Sequence, residues 1–162
     1  MEQALFYILA AVTVIATLLA ITEKHPVHAI VQLVTSFFSL AVIFFLLAAP
    51  LIAMFEVIIY AGAVMVLFMF VIMMLDLGRP EEAVRPALRR WLLPCLLGGV
   101  ILAAIGTVAT GHVDVSSTAR VVTVREFAVT LFQKYGVAVE IISMQLLFAV
   151  VGALYLGRRR KP

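Results

Sequence analysis

Long apolar runs alternate along this chain with short polar connections. A bilayer core takes roughly 20 apolar residues in a helix. Five stretches reach that length: Ala4 to Ile21, Ala29 to Ala48, Leu51 to Leu75, Trp91 to Thr110 and Val137 to Leu156. The pattern predicts an all-α polytopic protein with five transmembrane helices in a single domain spanning residues 1–162. Ala49 and Pro50 are almost the whole connection between the second and third runs, so those helices form a tight antiparallel hairpin. Gly78 to Arg90, with Pro80, Glu81, Glu82 and Pro86, reads as a solvated connection. The connection after the fourth run is polar from Gly111 and His112 through Ser116, Ser117 and Thr118, then turns amphipathic. There Thr123 and Glu126 fit a capping box. Phe127, Leu131 and Tyr135 recur every four residues, which predicts a short helix lying in the membrane interface or against a neighbouring protein.

Charge adds orientation. The chain is 65% hydrophobic and 13% charged, with a mean hydropathy of +1.18 and a net charge of +3. Its basic residues gather at the ends of apolar runs and not along a soluble face, which speaks for topology and against nucleic acid as a partner. One side of the predicted bundle carries Lys24, Arg79, Arg85, Arg89, Arg90, Arg158, Arg159, Arg160 and Lys161, and the other only Arg120, Arg125 and Lys134. The positive-inside rule then places the C-terminus in the cytoplasm and the N-terminus outside, which is the periplasmic side if the membrane is a bacterial inner one. The first run has no basic residue before it and no A-x-A pattern after it, and reads as a retained helix.

Chemistry is sparse. Cys95 is the single cysteine, so no zinc site or iron–sulfur cluster is expected on this chain. His25, His28 and His112 fall in connections, where they cannot ligate a haem inside the bilayer. Glu56 lies about one turn inside the third run, where an unpaired charge costs on the order of 3 kcal/mol. Glu140 has a similar depth in the fifth run, which places both carboxyls in the same leaflet as candidates for a proton path. Tyr60 follows Glu56 by one turn and precedes Ala61, Gly62 and Ala63. Small residues there permit close packing, a kink or a single-turn π-bulge. Asp76 ends the run at the interface, and Gln32, Thr35, Ser36 and Ser39 form one polar stripe of interhelical contacts on the second helix. Pro94, Gly98 and Gly99 bend the fourth helix or let it pack tightly.

The third run, EVIIYAGAVMVLFMFVIMMLDL, resembles the signature helix of the J subunit of bacterial NADH:quinone oxidoreductase, respiratory complex I, the counterpart of mitochondrial NADH dehydrogenase subunit 6. The HPVHA turn and the segment LFQKYGVAVEIISMQLL resemble further family motifs. The resemblance leaves out the third connection, the fourth helix and the early outer connection. Many family members carry Gln where this chain has Glu56. The resemblance implies a multi-pass subunit of the bacterial inner membrane with no cofactor of its own. NADH, FMN, iron–sulfur clusters and quinone belong to the whole complex, and the subunits corresponding to A, H and K are the implied neighbours. It also implies that the third helix switches between a π-bulged and a regular form, and so couples quinone reduction to proton translocation. On this chain the switch segment is Tyr60, Ala61, Gly62, Ala63, Val64 and Met65, with Glu56, Tyr60 and Glu140 as proton-path candidates. Two other classes share some of these features. One is a subunit of a related membrane-bound hydrogenase or cation/proton antiporter; the other is an autonomous small transporter, for which inverted repeats would be expected.

Overall fold

The computed structural model describes residues 2–75, 88–111 and 122–158. Asp76, the connection holding Arg79, Pro80, Glu81, Glu82, Arg85 and Pro86, the stretch from His112 to Arg120, and Arg159 to Lys161 lie outside the described residues. Every regular element among the described residues is helical, and five helical stretches are long and apolar enough to cross a membrane. Contacts divide the chain into two compact units, Met1–Val121 and Val122–Pro162.

The first unit holds α1 (Glu2–Thr22), α2 (Pro26–Leu46), a third span from Pro50 to Met74, and α5 (Leu88–Ala109). The third span is built from α3 (Pro50–Phe55), a π-helical segment (Glu56–Val64) and α4 (Met65–Met74). α2 begins three residues before its apolar run because Pro26 sits in its first turn, where a missing N–H loses no helical bond. It ends in a Schellman motif. The Ala48 N–H bonds Phe45 O at 3.1 Å, and the Ala49 N–H reaches back to Phe44 O at 3.0 Å. Ala48 supplies the left-handed residue of this motif at φ 57°, a place glycine usually fills. Pro50 then starts α3, so the chain reverses direction within three residues.

Hydroxyl groups join α1 to α2. Ser39 Oγ donates to Leu9 O at 2.9 Å, Ser36 Oγ donates to Thr13 O at 3.3 Å, and the hydroxyls of Thr17 and Ser36 stand 2.9 Å apart. Thr35 differs from the expected stripe, because its hydroxyl turns back to Val31 O of its own helix at 2.9 Å. Leu97, Ile101 and Ala104, at helical spacing on α5, close over Leu9, Val12 and Ala16 of α1 and Val42 and Ile43 of α2. A Cβ built at Gly98 or Gly99 would meet nothing within 4 Å, so these glycines are not where α5 packs.

The second unit consists of α6 (Val124–Lys134) and α7 (Gly136–Gly157). Both halves of the capping box form: Thr123 accepts from the Glu126 N–H, and the Glu126 carboxylate accepts from the Thr123 N–H, each at 3.3 Å. Tyr135 separates the two helices, with the Lys134 ammonium 5.8 Å from its ring centroid. Within this unit α6 buries no residue of α7, although the helix is apolar along its length.

Candidate functional site

The third span changes its hydrogen-bond register where its sequence turns small. At its start the Glu56 N–H bonds Ile52 O four residues back, the ordinary α pattern. At the far end of the π segment the Met65 N–H reaches Tyr60 O, five residues back. Gly62 lies between. A Cβ there would stand 3.2 Å from Val57 O, the carbonyl five residues earlier, whose backbone cannot retreat without opening the turn. The wide turn therefore suits a residue with no side chain.

Burial records the same change. Ala53, Glu56, Ala61 and Met65 form the buried stripe of this span, at intervals of three, five and four residues. The five-residue step falls inside the π segment. In an unbroken α-helix the position four after Glu56, Tyr60, would share its face. Here Ala61 takes that place and Tyr60 is 50% exposed. Its ring lies against Phe37 of α2, centroids 5.7 Å apart and planes tilted by 48°. Returning the segment to α register would turn everything beyond it by about 100° relative to α3 and exchange Ala61 for Tyr60 at the buried position.

Glu56 is only 8% exposed, and no described residue is hydrogen-bonded or ion-paired to its carboxylate. Five of the six expected switch residues, Tyr60 to Val64, belong to the π segment, and Met65 opens α4. The segment begins four residues earlier than that expectation and so takes in Glu56. Glu140 is exposed in the second turn of α7, in the other unit. One feature had no clear signal in the sequence, and another went beyond what its signal implied. Phe37 as the neighbour of Tyr60 depends on how α2 is rotated. Gln32, visible as part of a polar stripe, is buried with its amide oxygen unpaired. Cys95 is exposed on α5. Among the described residues no three His, Cys, Asp or Glu side chains converge as a metal site would require.

A family model described as NADH-ubiquinone/plastoquinone oxidoreductase chain 6 matches residues 16–156. The chain is also similar to proteins named NADH-quinone oxidoreductase subunit J. It is 38% identical to that of Escherichia coli K12 over 159 residues, covering 96% of this chain and 86% of the relative. It is 40% identical to that of Pseudomonas aeruginosa PAO1 over 168 residues, with 95% of each covered. The Rhodobacter capsulatus protein is 34% identical over 169 residues, covering 96% of this chain and 81% of the relative.

Proposed function

The chain belongs to the NADH-ubiquinone/plastoquinone oxidoreductase chain 6 family, and from that premise we propose that it is a non-catalytic membrane-arm subunit of a proton-pumping NADH:quinone oxidoreductase. In this reading its third span is the moving part. The observation that carries the reading is the π segment Glu56–Val64, a weak point between regular apolar helices and against a packed neighbour. Conversion to α register moves Tyr60 into the buried stripe and turns α4. That rotation breaks or joins a hydrated path past Glu56, and so links quinone reduction to proton movement. Tyr60 and Gly62 act as the hinge, with Glu56 and Glu140 as polar contributors.

Cys95 is the only thiol of the chain, so an iron–sulfur cluster has no donor set here. We assign the clusters, FMN, NADH and the reducible quinone to other subunits and route no step through them. The subunits corresponding to A, H and K are the proposed neighbours. The apolar length of α7, long enough to cross a membrane, is what a helix set among lipid and other subunits presents. The charge count favours a C-terminus in the cytoplasm, and we propose insertion in the bacterial inner membrane.

The test is migration. A tagged chain extracted in mild detergent is expected to run on a native gel in a large band that stains for NADH dehydrogenase activity. A large band without that activity would point to a hydrogenase, an antiporter or a differently driven dehydrogenase, and a small homogeneous band to an autonomous transporter. Either result overturns the reading.

A further inference from the structure

Within the first unit the third span packs mainly on α2, so its buried stripe of Ala53, Glu56, Ala61 and Met65 faces that helix. Tyr60 stands at the edge of the stripe, half exposed, with the Phe37 ring of α2 beside it at 5.7 Å between centroids. Aromatic pairs at such a separation attract each other beyond the area they bury.

This contact belongs to the π register. In α register Tyr60 takes the place of Ala61, a turn of about 100° around the span. At a side-chain radius of ~5 Å, that turn carries the ring roughly 8 Å, further than the present separation of the two rings. Tyr60 would then enter the stripe at a slot now filled by a methyl group, against α2. A bulky ring at position 37 resists that entry by overfilling the contact. Attraction in one register and crowding in the other therefore push in the same direction.

Phe37 has no part in the joint between α1 and α2. It lies about 100° round α2 from Ser36 and about 160° from Ser39, whose hydroxyls donate to α1. It is also partly exposed, so a smaller apolar residue there leaves no closed cavity.

We infer that Phe37 is a positioning residue for the switch, its ring holding Tyr60, and through it the third span, in π register. The inference rests on the proposed function of that span. Leu33 of α2 and Ile72 of α4 line one opening, and Val71, the residue before, is exposed. In α register Val71 takes the place of Ile72, just as Tyr60 takes that of Ala61. Two cysteine pairs thus report the register in the full complex within native membranes. Leu33→Cys with Ile72→Cys reads the π form, and Leu33→Cys with Val71→Cys reads the α form, each in a Cys95→Ser background. After oxidation with copper phenanthroline, Phe37→Leu should raise the ratio of the second cross-link to the first about fivefold, the bias one aromatic pair contributes. In a Tyr60→Leu background the same substitution should leave the ratio unchanged. A fivefold rise in that background as well would overturn the ring contact as the cause. A ratio raised by Gly62→Ala but not by Phe37→Leu overturns the inference and leaves the switch standing, whereas a ratio moved by neither overturns both. The cross-links form within this chain, so a native-gel band without NADH activity would leave this result intact.

Discussion

Replacing Gly62 tests whether the π segment has to change register. In the present structure a Cβ at position 62 stands 3.2 Å from Val57 O, closer than ordinary van der Waals contact, and the obstructing atom is helix backbone. In α register that carbonyl is no longer opposite the side chain, and relief of one overpacked contact is worth about 1 kcal/mol at the low end of such strain. Gly62→Ala should therefore shift the balance toward the α form by up to about that amount, a factor of roughly five in population. Gly62→Val adds branched carbons against the preceding turn and should act more strongly. The assay uses inner-membrane vesicles, in which proton uptake driven by NADH and quinone is compared with NADH oxidation by an artificial acceptor that bypasses the membrane arm. Proton uptake should fall about fivefold in Gly62→Ala and further in Gly62→Val, while the artificial-acceptor rate and the native-gel band stay at wild-type levels. Wild-type proton uptake in an assembled Gly62→Val complex would refute the switch.

Further outcomes follow from the same structure. Glu56→Gln preserves the shape of a buried side chain and removes its charge, so the complex should assemble and its proton uptake drop several-fold; unchanged uptake takes Glu56 off the path. Ser39 is 0% exposed and donates to Leu9 O, so Ser39→Leu should block assembly on a native gel by overfilling the α1–α2 contact. Ser39→Ala, losing only about 0.6 kcal/mol for one hydrogen bond in a bilayer, should assemble normally. At Ala48, glycine would relieve a left-handed residue at φ 57° and should raise the thermal aggregation temperature of the purified complex by an amount corresponding to about 1 kcal/mol; a lower temperature would contradict the strain.

The spans were legible because a run of apolar residues long enough to cross lipid has few other uses, and each observed span overlaps its expected run. Their ends shifted by up to three residues where local chemistry took over, as with Pro26 in the first turn of α2 and the Schellman motif at Ala48. At the candidate site, Gly62 marked the weak point, but the length of the π segment did not show in the sequence. It depends on which residues face α2, and the run Ala53, Glu56, Ala61, Met65 makes sense only once that packing is known. Thr35 illustrates the same limit: its spacing matched the polar stripe, yet a threonine hydroxyl can satisfy itself on the preceding turn of its own helix.

The most direct test of the account is to determine the structure of the intact complex at rest and again during turnover, reading in each the acceptor of the Met65 N–H. The account predicts two registers: Tyr60 O, five residues back as here, in one state, and Ala61 O, four residues back, in the other, with Tyr60 moving into the buried stripe. The same five-residue bond in both states, with Tyr60 still resting on Phe37, would contradict it.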